Sequence, residues 1–350
     1  MSTGVSHRPE PTRSRPTPSS ATPPGAPDAL PRRLGFWETT LIVIGVTIGS
    51  GIFRVPASVA DTVGSPAGVV TVWVVGGIIA LCGALSLAEL AAAFPEPGGV
   101  FVYLREVYGR AVAFLFGWMY LFVGPTGVAA VAVVFGEYLG RLLGLSGVGV
   151  RLLAAGAIVV VAVASYRTVR GASVLQGAAT LGKMAGLAAI VAVAFLLGDG
   201  SAGAFGAGAP SPADARWSGV GLALVAALWA YNGFQDMLPV AGEVRDPGRA
   251  LPRALLAGTA IVVAIYVSAN AAYLHVLPYA ALRASPLVAS DTMVRVVGSI
   301  GAAAVASAVI VPELMTDTIP SACATNPTVL LFAPLATAEI SPLLVTLTAP

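Results

Sequence analysis

Charged side chains are scarce in this chain. Asp, Glu, Lys and Arg together make up 10% of its 350 residues, whereas they make up about 25% of a typical soluble domain. Hydrophobic residues account for 57%, and the mean hydropathy is +0.86. This composition excludes a water-soluble fold and indicates an integral membrane protein. The net charge of +2 forms no basic stripe, so we expect no nucleic-acid partner.

Cysteine is almost absent, and so are the motifs of common enzymes. Cys82 and Cys323 are the two cysteines, too few for a disulfide framework and without the spacing of a metal site. The sequence contains no HExxH, GxSxG or Walker-type motif. We therefore expect no enzymatic activity, no cofactor and no metal site.

Long apolar runs, by contrast, are numerous. A bilayer core needs about 20 mostly apolar residues per helix. Eight segments are apolar and long enough, and they lie near residues 36–63, 66–93, 111–137, 149–166, 174–198, 217–242, 252–277 and 291–311. The chain is therefore predicted to be an all-α multi-pass membrane protein of about eight transmembrane helices, embedded in the lipid bilayer.

Residues 1–33 precede the first apolar segment and are rich in Pro, Ser, Thr and Arg. They have almost nothing to bury, so this tail is predicted to be disordered, and it lacks the apolar core of a signal peptide. Twelve arginines lie in the tail and beside loops on its side of the membrane, against five beside the opposite loops. Because cytoplasmic loops carry an excess of Lys and Arg, the N-terminus is predicted to be cytoplasmic.

The first apolar segment contains the stretch IGVTIGSGIF, in which Gly49, Ser50 and Gly51 lie at the midpoint of the span. Unwound backbone at this depth is tolerated only where it lines a cavity or is buried in protein. The N–H groups at the start of the outer half-helix would then suit a carboxylate, since a helix N-terminus carries about half a positive elementary charge. Small residues also allow helices to pack closely, and this motif alone does not separate the two interpretations.

A second interruption lies in the sixth segment, where Asn232 and Gly233 are close to the midpoint of residues 217–242. Interrupted helices at corresponding positions of two halves are typical of a transporter site between inverted repeats. The pair of interruptions therefore favours a binding site over simple close packing.

Lys183 is the single lysine of the chain and lies nine residues into the fifth segment. At 1.5 Å per residue this places it about 14 Å deep, near the bilayer centre. A charged lysine there costs roughly 2.5 to 3.5 kcal/mol on insertion scales, and such residues usually face a functional cavity. A functional role is favoured, and a permanent hydrogen bond to the carbonyls of a broken helix is the structural alternative.

Five motifs, in this order, resemble the amino acid, polyamine and organocation (APC) superfamily, close to the L-type amino acid transporters and related bacterial permeases. They are IGSGIF, ELAAAFPEPGGVFVYLREVYG, TLGK, AYNGF and EVRDPGRALPRA, and they fall within a permease domain of residues 34–311. The resemblance implies a LeuT-type inverted five-helix repeat with a central site between helices 1 and 6. It also implies secondary active transport of amino acids across the cell membrane, proton-coupled or by exchange.

The resemblance further implies a role for individual residues around the two helix breaks at Gly49 and Gly233. The substrate carboxylate would be held by the backbone amides of Ser50, Gly51 and Ile52. The substrate ammonium would be held by the backbone carbonyls of Thr47, Trp229, Ala230 and Asn232. Trp229 corresponds to an aromatic gate over the substrate, and Asn232 departs from the small residue common in relatives.

Lys183 has its own counterpart in this resemblance. It matches a lysine that, in similar permeases, stands where sodium-coupled relatives bind a cation. The match implies coupling to protons or sodium-free exchange, so protons are expected as a partner besides the amino acid.

The C-terminal segment, residues 312–350, departs from the resemblance. Relatives have ten to twelve helices, while this segment carries six prolines and no helical periodicity, and an interior proline costs about 3 kcal/mol in a helix. We expect an incomplete repeat, from a truncated or frame-shifted reading frame. The alternatives to a transporter are a non-transporting fragment or partner subunit and, with less support because no ring of polar residues indicates a filter, a channel or sensor.

Overall fold

The computed structural model describes residues 32, 34–94, 98–167, 172–200, 217–303 and 305. The predicted N-terminal tail, apart from Arg32, and the C-terminal segment 312–350 lie outside this description, so the expectations about them stay predictions. Leu34 joins the fold directly, because its N–H donates to the Glu243 carbonyl at 3.0 Å and its carbonyl accepts from the Arg245 N–H at 2.8 Å.

The first apolar segment is two helices rather than one. Helix α1 (Phe36–Thr47) and helix α2 (Gly51–Val63) are bent by 47° at the residues between them. Helix α3 (Pro66–Ala93) follows, and its N-cap is Ser65, whose hydroxyl accepts from the Gly68 N–H at 3.1 Å. A serine N-cap followed by proline at the first helical position is a strong helix start.

The next four helices are α4 (Val100–Tyr108), α5 (Arg110–Leu143), α6 (Val148–Arg167) and α7 (Ala172–Leu197). Helix α5 continues for six residues beyond the predicted end at Glu137 and stops at Gly144, a C-terminal glycine with a φ of +67°. Arg141, in its last turn, pairs with Asp291. Helices α5 and α6 form a close hairpin. A Cβ on Gly136 would lie 2.6 Å from the carbonyl oxygen of Val150, so only glycine permits this approach.

The sixth apolar segment is also interrupted. It consists of helix α8 (Val220–Tyr231) and a 3₁₀ helix (Phe234–Glu243), separated by Asn232 and Gly233. Helix α9 (Pro247–Val276) follows and is the longest helix of this half.

The last predicted segment, 291–311, is wrong as a single helix. Two short helices follow α9, namely α10 (Tyr279–Ala284) and α11 (Val288–Val297), and the chain leaves α11 at Gly298, where φ is +73°. Helical structure resumes at residue 299. The apolar count missed this because Asp291 and Arg295 make α11 a polar-sided helix rather than the start of a span.

The main core lies where α1, α2, α3, α8 and α9 meet. Its largest members are the fully buried rings of Trp73, Tyr231, Tyr266 and Tyr273. Within the part of the chain that the structure describes, four helices are long and apolar enough to cross a membrane, and the bent α1–α2 pair makes a fifth.

Candidate functional site

The two helix breaks pack directly against each other. A Cβ on Gly51 would lie 2.8 Å from the Cα of Ala230, and one on Gly233 would lie 2.8 Å from the Val46 carbonyl oxygen. Gly233 also has a φ of +130°, which disfavours any residue with a side chain. The small residues therefore have both predicted effects: they interrupt the helices, and they let the two helices pack closely.

The first break presents hydrogen-bond donors. Helix α2 starts at Gly51, and the N–H groups of a first helical turn have no partner within the helix. Ser50 and Ile52 are both buried, and the Ser50 hydroxyl finds no hydrogen-bond partner among the described residues. These groups lie at the positive end of the helix dipole, so the arrangement can bind an anion such as a carboxylate.

The same region presents carbonyl oxygens, two of which already accept one hydrogen bond. The Thr47 carbonyl accepts from the Tyr266 hydroxyl at 3.0 Å, and the Trp229 carbonyl accepts from the Asn232 N–H at 3.2 Å. A carbonyl oxygen has two lone pairs, so each can accept a second donor. Ala230 lies against Gly51, which brings the carbonyl-bearing end of α8 beside the amide-bearing start of α2.

Lys183 reaches the first break from helix α7. It is 6% exposed, and its Nζ donates to the carbonyl of Ile48 at 2.8 Å and to that of Gly45 at 3.4 Å. Helix α1 has no basic residue in its own last turn, and a cation near the last carbonyls of a helix is favourable. The lysine therefore supplies the charge that the end of α1 lacks.

Three buried aromatic residues support the site and were not predicted. The Tyr266 hydroxyl holds Thr47, and the Tyr231 hydroxyl donates to the Trp73 carbonyl at 3.0 Å. The ring centroids lie 5.2 to 5.8 Å apart, a separation typical of attractive aromatic pairs. A tyrosine hydroxyl in the middle of an apolar span needs a hydrogen-bond partner. The presence of Tyr231 and Tyr266 in such spans was therefore the sequence signal that could have identified them.

Two side-chain bridges join α5 to the two broken segments, and they too were not predicted. Arg54, on α2, pairs with Glu137 at 3.0 Å, and the Tyr120 hydroxyl donates to Asp236, in the 3₁₀ helix, at 2.6 Å. Tyr120 and Glu137 are seventeen residues apart on α5, about 25 Å at 1.5 Å per residue. Arg54 and Asp236 each lie three residues beyond a glycine of a break, Gly51 and Gly233, so each broken segment is tied to α5 close to its break.

Comparison with known proteins gives one family. Residues 34–316 match the amino acid permease family. The chain is 33% identical over 251 residues to the serine/threonine exchanger SteT of Bacillus subtilis (strain 168), covering 71% of this chain and 56% of that protein. It is 32% identical over 267 residues to the b(0,+)-type amino acid transporter 1 of Homo sapiens, covering 75% and 55%.

A third relative is the large neutral amino acids transporter small subunit 2 of Mus musculus, 33% identical over 271 residues, which are 75% of this chain and 51% of that protein. The chain spans about half the length of these curated relatives. Their names describe transporters and an exchanger, not enzymes, which agrees with the prediction of no enzymatic activity. The predicted resemblance and the all-helical, multi-pass membrane fold are confirmed, and the chain belongs to the amino acid permease family.

Proposed function

We propose that this protein is a secondary active transporter that moves amino acids across the cell membrane, by exchange or with proton coupling. The observation that carries the proposal is the contact between two broken helices, with the first-turn amides of α2 beside carbonyls at the end of α8. An α-amino acid carries one negative and one positive group on the same carbon atom, and this site offers donors and acceptors side by side. The amino acid transporters and exchanger among the relatives support the same activity.

In this proposal the substrate carboxylate binds the amides of Ser50, Gly51 and Ile52. The Ser50 hydroxyl, which finds no partner among the described residues, adds a fourth donor. The helix dipole of α2 favours the negative charge. Burial of all three residues excludes water and strengthens each hydrogen bond.

The substrate ammonium binds carbonyls from both breaks, those of Thr47, Trp229, Ala230 and Asn232. The Trp229 side chain is 49% exposed, and its ring lies 3.6 Å from the Cβ position of Gly51. From there it can cover the bound substrate as a gate.

Lys183 is the proposed coupling residue. Its ammonium occupies the carbonyl end of α1 that would otherwise attract a cation, which supports sodium-free transport. Loss of its charge would weaken its hold on Ile48 and Gly45. Protonation and the position of α1 would then be linked, which is what coupling to protons requires.

The proposed orientation has the N-terminus in the cytoplasm, as the arginine distribution predicts. Helix α1 and the 3₁₀ helix then lie towards the cytoplasm, and α2 and α8 lie towards the outside. The Tyr120–Asp236 bridge would close the inner side, and the Arg54–Glu137 bridge the outer side.

Uptake by proteoliposomes tests this function. Purified chain would be supplied with radiolabelled amino acids, with and without an inward proton gradient and with and without unlabelled amino acid inside. We expect uptake that the gradient or the internal amino acid stimulates, and loss of the gradient effect in Lys183→Ala. Stimulation by internal substrate alone would establish exchange.

The same experiment addresses the alternative of a non-transporting permease unit or partner subunit. Folded protein that binds amino acids but gives no uptake under any gradient would favour that alternative. Folded protein that neither binds nor transports any amino acid would overturn the proposal.

A further inference from the structure

Helix α9 begins with exposed arginines that the proposed function does not use. Arg249 and Arg253 lie in its first two turns, four residues apart, and both side chains are exposed. Residues at this spacing are neighbours on one face of a helix, with Cβ atoms about 6 Å apart. Within the part of the chain that the structure describes, neither side chain forms a hydrogen bond or an ion pair. Their N–H donors are therefore open to a ligand.

These charges lie where they are unfavourable for the helix itself. The N-terminus of a helix carries about half a positive elementary charge, so cations are destabilising there. Asp246, the N-cap of α9, makes no side-chain hydrogen bond to the helix. By contrast, Arg141 and Arg283 at the other end of the bundle each pair with a carboxylate. The start of α9 therefore combines unneutralised arginines with the positive end of a helix dipole, an arrangement that attracts an anion.

Two more arginines lie beside the start of α9. Arg245 lies two residues before the helix, and its Nε donates to the carbonyl of Arg32 at 3.4 Å. Both side chains are exposed. The four arginines exceed the two carboxylates of the same region, Glu243 and Asp246, so the net charge of this surface is positive.

The arginine pair continues into an exposed apolar stripe along α9. One face of the first turns is buried, and its members are Pro247, Leu251, Ala254, Leu255 and Gly258. Arg249 and Arg253 lie on the opposite face, which continues through the exposed residues Ala260 and Ala264. At 3.6 residues per turn, these four residues fall within about 60° of one another around the helix. In a bilayer, an exposed apolar helix face contacts the lipid tails.

The length of α9 places the arginines at the level of the lipid headgroups. Its 30 residues span about 45 Å at 1.5 Å per residue, whereas the hydrocarbon core of a bilayer is about 30 Å thick. About five residues at each end therefore extend beyond the core, which puts Arg249 among the headgroups and Arg253 at their edge. From Arg253 to Ala264 the helix rises about 16 Å, close to the depth of one leaflet of the core.

We propose that the start of α9 is a binding site for an anionic phospholipid. The phosphate lies between Arg249 and Arg253, and an acyl chain follows the exposed stripe past Ala260 and Ala264. A guanidinium can donate two parallel hydrogen bonds to a phosphate, and an anionic headgroup balances the surplus of arginines, which a zwitterionic headgroup does not. The continuity of the charged and the apolar exposed face favours a lipid over a soluble phosphate. The inference does not depend on the proposed function, because it concerns the lipid-facing side of α9.

Three probes separate the contributions of charge and acyl chain. Dioleoylphosphatidylglycerol and dioleoylphosphatidylcholine have the same acyl chains, but only the first has a net negative headgroup. Glycerophosphoglycerol is the same anionic headgroup without acyl chains. Binding of each probe to the purified full-length chain in detergent would be measured by native mass spectrometry.

We expect the unmodified chain to bind dioleoylphosphatidylglycerol roughly tenfold more tightly than dioleoylphosphatidylcholine, and glycerophosphoglycerol more weakly than either lipid. Arg249→Gln and Arg253→Gln should each weaken binding of the anionic lipid about fivefold, since one arginine near an anionic lipid surface contributes about 1 kcal/mol. Arg151→Gln is the control and should leave lipid binding unchanged. Arg151 is an exposed arginine in the first turn of α6, and it too forms no ion pair in the described part of the chain, but no second arginine lies one turn away.

A second variant covers the case in which the glutamine variants do not fold. The double change Arg249→Lys and Arg253→Lys keeps both charges but replaces each guanidinium with a single ammonium, so it should weaken binding less and keep the preference for the anionic lipid. Equal affinity of the unmodified chain for the two lipids, or an equal loss in Arg151→Gln, would overturn the inference. Glycerophosphoglycerol bound as tightly as the anionic lipid would overturn it in favour of a soluble phosphate ligand.

Discussion

The two helix breaks are alike in position but are held in different ways. The first, between α1 and α2, depends on side chains from distant helices, since Lys183 binds its carbonyls from α7 and Tyr266 from α9. The second, between α8 and the 3₁₀ helix, is held by a residue close to it in sequence, since Gln235, in the first turn of the 3₁₀ helix, bonds both Gly233 and Asn232. The first break is therefore held by tertiary contacts, and the second is held largely by contacts between residues close in sequence.

This difference separates the expected effects of mutation. Changes that remove a partner of the first break should destabilise the whole bundle, because they act on contacts between helices. Changes in the second break should alter binding more than stability, apart from its glycine, whose backbone conformation and close packing are both restrictive.

The largest effect is expected for Lys183→Met. This change keeps the length of the side chain but leaves the carbonyls of Ile48 and Gly45 without their charged donor, which should lower the free energy of unfolding by about 3 kcal/mol. The measurement is thermal unfolding in detergent. Thr180→Val, one turn away on α7, is the control, because the buried Thr180 hydroxyl has no partner in the described part of the chain. Equal melting temperatures for the two variants would show that the lysine does not hold the break.

A smaller loss, about 2 kcal/mol, is expected for Gly233→Ala, since its φ of +130° strains any other residue and the new Cβ would meet Val46. The added Cβ should also prevent the second break from packing against the first, so amino acid binding should weaken. Gly221→Ala on α8 is the matched change, because no described atom lies within 4 Å of its Cβ position. Wild-type binding and stability in Gly233→Ala would contradict the requirement for glycine.

Next in size is Tyr266→Phe, which removes one hydrogen bond to the Thr47 carbonyl and should lower the free energy of unfolding by about 1 kcal/mol. Tyr273→Phe, seven residues further along α9, removes a buried hydroxyl with no partner among the residues described, and it should be neutral or slightly stabilising. Thermal unfolding of the pair gives the comparison. A greater loss in Tyr273→Phe would contradict the assignment of Tyr266 to the first break.

The smallest effect is expected for the Arg54–Glu137 pair. Its side chains are 49% and 31% exposed, so a double-mutant cycle with Arg54→Gln and Glu137→Gln should give a coupling energy of about 0.5 kcal/mol that falls with added salt. Thermal unfolding at low and high salt measures it. A coupling of several kcal/mol, insensitive to salt, would mean that this pair holds α2 as firmly as Lys183 holds α1.

The sequence predicted the local features of the fold well. The first two apolar segments end where the structure ends them, and the interruptions around Gly49 and at Gly233 lie where the small residues predicted them. The prediction failed at residues 291–311, because a count of apolar residues cannot see that Asp291 pairs with Arg141 and Ser285. The sequence analysis also missed the hydrogen bonds of Tyr266 and Gln235, because these depend on which backbone group the fold places next to each side chain.

The sequence by itself determined the membrane class, the bounds of the first two apolar segments, and the positions of the two breaks. These follow from local physics, since a bilayer requires long apolar helices and penalises unpaired backbone wherever small residues interrupt them. Only the tertiary structure decided that the breaks meet and that Lys183 and Tyr266 hold the end of α1. Hydrogen bonds between distant residues depend on how the helices pack, and no local pattern specifies that.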